Sequence, residues 1–232
     1  DNIEIKTKKK LIYIKKIDKW FSYNRDNILM EPLRRFVDSD NSCLFSSIGY
    51  LVDTKNFSET TSMQYRQLLV NYLDETTLPA GILELPKEEY IKSIQNPATW
   101  GGAIEIKLFS DMYQVEIASI DVQSNRVDIF GQDKNYPQRI YVIYNGVHYD
   151  PLVMAYSEDT LDDITTFASD DNETLIALQN YVKVFRETGD FVDLSNMNNF
   201  ECDQCQTLFV NQEEAYDHAQ NYQHWNFSEL HS

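Results

Sequence analysis

The chain has 232 residues, with 37 Asp/Glu against 20 Lys/Arg, a formal net charge of −17 at pH 7, and a composition 42% hydrophobic and 13% aromatic. That balance supports a packed core and excludes a disordered polymer. No apolar run approaches the roughly 18 residues needed to span a bilayer, and no signal-peptide pattern opens the chain, which starts at Asp1 as a trimmed or processed segment would.

Charge divides the chain. Residues 1–35 hold ten Lys/Arg and five Asp/Glu, which leaves ten basic and 32 acidic residues for the remainder. So acidic a body repels phosphate backbones, arguing against nucleic-acid binding and for a basic protein surface or peptide tail; it also serves solubility. Three cysteines without a secretory signal fit a reducing, cytoplasmic setting.

In chain order, residues 1–30 form a basic arm, either an edge strand or irregular, and Pro32 and the polar residues 38–42 interrupt any pattern. From Leu44 the apolar residues 44, 45, 48, 51 and 52 have helical spacing. A second helix, TSMQYRQLLVNYLDE, takes Ser58 or Ser62 as cap and Met63, Leu68, Leu69, Tyr72 and Leu73 as its stripe. A short helix KEEYIKSIQ ends at Pro97, and Thr99 with Gly101 and Gly102 opens another lined by Ile104, Leu108 and Met112. Strands follow in VEIASIDV, RVDIF and QRIYVIYNGVHYDPL, the last broken by the turn dipeptide Asn145-Gly146. An acidic loop leads to the helix NETLIALQNYVKVFRETG, with Gly189 past its end, and an Asn-rich connector at 193–199. Helices, then a meander, then a helix predict an α+β fold with a mixed or antiparallel sheet.

The C-terminal segment carries Cys202-x2-Cys205-x12-His218-x5-His224, two thiolates and two imidazoles at the spacing of a ββα zinc finger. Phe209 falls at the core aromatic position and Ala215 where Leu is usual. Four such ligands close the shell of Zn2+, which makes the metal structural rather than catalytic. Glu213, Glu214 and Asp217 on its helix oppose DNA binding, so a structural or protein-binding unit is expected.

Setting those ligands aside leaves Cys43, His148 and His231, the last one residue from the end and read as a tail residue. Cys43 heads the apolar helix, where the dipole lowers a thiol pKa, and His148 is the one body histidine able to act as its base. Asp150, two residues on along a strand, shares the face of His148 and can hold its tautomer.

Taken together, DSDNSCLF, TWGGAIEI and YNGVHYD resemble, in this order, the ovarian tumour (OTU) family of deubiquitinating cysteine proteases. The terminal two-Cys two-His unit resembles the subgroup that works with the valosin-containing AAA ATPase. The resemblance implies a papain-like OTU fold over 31–156, an extension at 157–192 and a zinc finger at 200–228. It implies Cys43 as nucleophile, His148 as general base, Asp150 as its orienting acid, and Asp40 in the loop whose amides form the oxyanion hole. Trp100, Gly101, Asn145 and Val147 are then substrate-facing. The implied activity is hydrolysis at the ubiquitin C-terminal glycine, with ubiquitin and polyubiquitin chains as partners, in ER-associated degradation and the unfolded protein response. The alternative is a non-catalytic ubiquitin-binding adaptor. About 30 residues precede the motifs, too few for the subgroup's ubiquitin-like docking domain, which places the ATPase partnership in question.

Overall fold

The structure is a computed structural model that describes residues 30–38, 40–53, 61–76, 82–83, 85–157, 162–187, 200–202, 204–209, 212–222, 224 and 227–229. The basic arm before residue 30, Ser58, Gly189, the connector at 193–199 and His231 lie outside them.

A mixed sheet organises the body. Its strands run β1 (Glu31–Arg34), β5 (Tyr149–Ala155), β4 (Gln138–Tyr144), β2 (Glu116–Asp121), β3 (Val127–Phe130), with β6 (Phe167–Ala168) beside β4. β2 and β4 are parallel and the remaining pairs antiparallel. Helices α1 (Cys43–Val52), α2 (Thr61–Glu75), α3 (Lys87–Gln95) and α4 (Ala103–Tyr113) precede the central strands, and α5 (Asn172–Glu187) follows.

Strand parity shows how the layers stack. Ile117, Ile140, Val142 and Val153 pack with Leu44, Phe45, Ile48, Leu69 and Phe109 of the first four helices. The alternate residues Ala118, Ile120, Tyr141, Ile143, Leu152 and Met154 meet Leu178 and Val182 of α5. The sheet is therefore covered on both faces, which leaves β2, β4 and β5 buried along nearly their whole length.

Three local expectations need correcting. Pro32 lies within β1 rather than breaking the pattern, because β1 is the edge strand and its missing N–H costs no ladder bond there. Ser62 is the second residue of α2, not its cap, and the buried stripe of that helix is Tyr65, Arg66, Leu69, Val70 and Leu73. Met63 and Leu68 stand exposed, so the stripe is turned toward a charged residue that periodicity alone would place outside. Gly102, not Thr99, caps α4; its N–H donates to Glu105 Oε2 at 2.6 Å, and Tyr90 Oη donates to Glu105 Oε1.

The C-terminal segment forms a hairpin of β7 (Phe200–Cys202) and β8 (Leu208–Phe209), then α6 (Gln212–Tyr222). A third strand, β9 (Phe227–Glu229), pairs with β7 and extends the expected ββα unit. Cys202, Phe209, Ala215 and Ala219 are its buried apolar residues among those described.

Candidate active site and Cys/His centre

Polar residues 40–42 fold into a tight turn that starts α1. Asp40 Oδ1 accepts the N–H of Ser42 at 3.0 Å, and the Asp40 carbonyl accepts the N–H of Cys43 at 3.1 Å. The side chain of Asp40 thus shapes the loop from within, directly before Cys43. Cys43 is the first residue of α1, where the helix dipole favours negative charge.

Helix α1 is pinned to β5 at two points one turn apart. The Tyr149 N–H points at Cys43 Sγ, 3.5 Å away, and Ser47 Oγ donates to the Tyr149 carbonyl at 3.0 Å. The thiol is thereby held against the residue that follows His148.

His148 is buried, with Nδ1 3.2 Å from Asp150 Oδ2 and Nε2 3.3 Å from the Asp38 carbonyl. Each ring nitrogen thus lies within hydrogen-bond distance of an oxygen, a carboxylate on one side and a carbonyl on the other. The turn before it is closed by Asn145, whose Oδ1 accepts the N–H of Val147 at 3.1 Å and of His148 at 2.8 Å. Gly146 has φ +103°, a conformation that side chains resist, and its carbonyl accepts from Tyr144 Oη at 2.5 Å. Asn145 therefore spends its carboxamide oxygen on presenting the imidazole, inside the turn.

Asp150 is 1% exposed. Its Oδ2 accepts from Arg34 Nε at 2.7 Å and Nη2 at 2.5 Å, and its Oδ1 accepts the Val37 N–H at 3.0 Å. Burial pushes this carboxyl up, but the Arg34 guanidinium, His148 and the Val37 amide more than offset it and hold it below its ordinary value. Cys43 goes the other way: burial drives its thiol up to about 12, opposed by the Tyr149 and Leu44 amides and reinforced by the charges of Asp150 and Asp40. An isolated thiolate is costly here, so the anion must form together with an imidazolium partner.

The glycine loop flanks the other side of α1. A Cβ on Gly101 would stand 2.8 Å from Leu44 Cδ2 and 3.0 Å from Phe45 Cε2, so any larger residue here would require Leu44 or Phe45 to shift. Trp100 is half exposed and its Nε1–H donates to Asn41 Oδ1, joining this loop to the turn before Cys43. Beneath both lies Arg66, 1% exposed. It donates to Ser42 Oγ at 2.9 Å, the Asn41 carbonyl at 2.9 Å, the Ile94 carbonyl at 3.0 Å and the Thr99 carbonyl at 2.7 Å. Its guanidinium also sits 4.0 Å from the Phe45 ring centroid. Sequence reasoning missed Arg34, Arg66 and Glu105; the available signal was a charged residue in a buried register, as Arg66 is between Tyr65 and Leu69.

Cys202, Cys205, His218 and His224 converge, with all four candidate ligand atoms within 4.8 Å of one another. Cys205 Sγ lies 3.2 Å from His218 Nε2, Cys202 Sγ lies 3.6 Å from His224 Nδ1, and the two imidazole nitrogens are 3.1 Å apart. Metal–sulfur bonds of about 2.3 Å and metal–nitrogen bonds of about 2.0 Å in a tetrahedron imply edges of about 3.3–3.8 Å. The cluster fits a four-coordinate metal of the kind that two soft and two imidazole ligands select.

Residues 38–166 match the family described as OTU-like cysteine protease. The chain belongs to that family. It is 36% identical over 200 residues to "Ubiquitin thioesterase OTU1" of Xenopus laevis, covering 85% of this chain and 66% of the relative. The human protein of the same name is 35% identical and covered to 57% of its length, so this chain spans somewhat less than two thirds of these relatives. An Arabidopsis thaliana ovarian tumor domain-containing deubiquitinating enzyme 2 is 34% identical over 205 residues, covering 85% of this chain and 97% of the relative. Among solved structures, an OTU domain in complex with ubiquitin matches with a TM-score of 0.56 and 28% identity, over 68% of this chain and 88% of that one. The OTU match contains Cys43, His148 and Asp150, and leaves β1, α5 and the Cys/His centre outside it.

Proposed function

We propose that this OTU protein is a deubiquitinase that hydrolyses isopeptide bonds at the C-terminal glycine of ubiquitin through a thioester on Cys43. The observation that carries this reading is the Tyr149 peptide: its N–H faces Cys43 Sγ, while its two sequence neighbours, His148 and Asp150, form the buried imidazole–carboxylate pair. Names of relatives such as "Ubiquitin thioesterase OTU1" support the substrate class.

In this mechanism Cys43 passes its proton to His148 and attacks the glycine carbonyl carbon, forming a tetrahedral oxyanion beside the Asp40–Cys43 loop. Collapse breaks the carbon–nitrogen bond, and the imidazolium protonates the departing lysine amine. Water, deprotonated by His148, then attacks the thioester and releases free ubiquitin and the thiol. Asp150 keeps the imidazole oriented and stabilises its cationic form without taking the proton. Gly101 and Trp100 would line the entry for the glycine tail, Val147 would border the scissile bond, and arginines upstream in that tail would meet the acidic body.

Zn2+ is the metal we assign to the Cys202, Cys205, His218 and His224 centre, in a structural role: it would fix the small C-terminal unit. Cytoplasmic work on polyubiquitin in ER-associated degradation and the unfolded protein response, with the valosin-containing AAA ATPase, extends the same reading. Among the described residues no helix is long and apolar enough to cross a membrane.

The test is a ubiquitin probe bearing a C-terminal electrophile, offered to the wild type and to Cys43→Ala. Covalent capture of the wild type alone supports the reading. Equal non-covalent binding by both proteins, with no capture, would make the chain a ubiquitin-binding adaptor instead.

A further inference from the structure

We infer that Arg34, held by α5, is a positioning residue that sets the charge felt by the catalytic pair through Asp150; this rests on reading His148 and Asp150 as base and orienting acid. Arg34 stands opposite Leu152 in the β1–β5 ladder and so shares a face with Asp150, two residues away on β5. That is the face covered by α5. The Arg34 N–H donates to Tyr181 Oη at 3.3 Å, and its guanidinium lies 5.1 Å from the Phe185 ring and 4.3 Å from the Phe36 ring. Arg34 is 5% exposed, so the pair it makes with Asp150 is dry.

Asp150 has two opposed effects. Its Oδ2 orients His148 through Nδ1, which the reaction needs. Its negative charge also raises the Cys43 thiol, which the reaction does not need. Arg34 resolves the conflict by placing a permanent positive charge on the same oxygen, leaving the hydrogen bond while damping the field at Cys43. The other charged or titratable groups facing this set include Asp40 and Cys43 from the turn, Arg66 beneath it, Tyr144 and Tyr149 from β4 and β5, and Tyr181 from α5. Since β1 and α5 both flank the OTU match, this buttress assigns α5, the helix that follows the match, a part in the chemistry.

The experiment follows iodoacetamide alkylation of Cys43 against pH, which requires no ubiquitin and so is independent of the proposed substrate. It is run on the full chain for the wild type, Arg34→Lys, Arg34→Met, Asp150→Asn and the Arg34→Met/Asp150→Asn double variant. Arg34→Met is expected to move the profile upward by about one pH unit, the scale set by a lost neighbouring charge. Arg34→Lys restores most of that shift, because a charge remains where the bidentate reach is lost. In the Asp150→Asn background, Arg34→Met should move the profile clearly less than in the wild type, since only the direct field of Arg34 on Cys43 is then lost and there is no carboxylate left to position or damp. The double variant removes both buried charges, and because each single variant leaves one of them behind, thermal unfolding of every variant is measured alongside so that only folded proteins are compared. An unmoved profile in Arg34→Met, or an equal shift with Asp150 already neutral, overturns the inference.

Discussion

The molecule uses cysteine and histidine twice, in two regions, to opposite ends. In the body one thiol and one imidazole are set apart: Cys43 at a helix start against the Tyr149 N–H, His148 with a carboxylate on one side and a carbonyl on the other. In the C-terminal unit two thiols and two imidazoles point at one another, and no carboxylate is among the four converging groups. Burial drives the Cys43 thiol up to about 12, whereas exposed Cys205 is drawn down to about 7, chiefly by the Thr207 hydroxyl against a smaller cost of burial. The residue types do not decide the chemistry. A nucleophile needs one thiol, one base and a carboxylate to orient that base; a metal site needs convergence and thiolates that are easily formed.

The sharpest way to break this contrast is to remove the carboxylate. Asp150→Ala should lower kcat by about 10⁴-fold, the scale for losing the acid that orients a catalytic histidine. It should also slow Cys43 alkylation near neutral pH. The same carboxyl predicts a pH effect on stability. Its folded-state pKa is depressed below the ordinary 3.8, so its contribution is fully present above that value and disappears as pH falls through the lower folded value. Asp150→Asn should flatten the fall in unfolding free energy below about pH 4, measured by denaturant titration across pH. An unchanged acid slope would place the sensitivity elsewhere.

Asp40 comes next. Its side chain holds the Ser42 amide rather than the imidazole, so Asp40→Ala should cost about 10²–10³-fold in turnover, as losing an oxyanion donor does. The Cys43 alkylation profile should scarcely move. If Asp40→Ala shifts that profile and Asp150→Ala does not, the two carboxylates have exchanged roles. Gly101→Ala should be milder: the added methyl meets Leu44 and Phe45 under 3.1 Å, and overpacking of this kind costs about 1–3 kcal/mol. A fall in Tm with KM rising more than kcat falls is the expected result; unchanged Tm and kinetics would show that the loop gives way freely.

Most of the body was legible because its signals are local. Helical spacing from Leu44, the alternation around Asn145-Gly146 and the i, i+2 relation of His148 and Asp150 need only neighbouring residues to be read. The buttressing arginines were not legible for the complementary reason. Arg34 is placed by pairing across 116 residues with Asp150, and Arg66 by carbonyls of Asn41, Ile94 and Thr99. In sequence each looks like an ordinary charge beside an apolar run. β1 was hidden by Pro32, whose tolerance depends on the strand lying at the sheet edge, a property of the assembled sheet. β9 was hidden because three residues after a helix carry no period to detect.

The smallest effect on catalysis is expected from the largest local change. The Cys/His unit buries few apolar side chains among those described, a small core to set against the entropy of ordering it, so the metal proposed for it would supply much of its stability. If the proposed metal is bound there, a chelator should abolish the ordered structure of the unit, seen as loss of amide protection over 200–229 in hydrogen exchange. The OTU body keeps its own core on both faces of the sheet, and Cys43, His148 and Asp150 are all held from within it. Cleavage of a minimal ubiquitin substrate should remain within about twofold of the untreated rate, against the roughly tenfold that 1.4 kcal/mol of transition-state stabilisation would carry. If activity instead falls in step with metal loss while protection in the body persists, the second Cys/His set serves the first, and the two regions do not work apart.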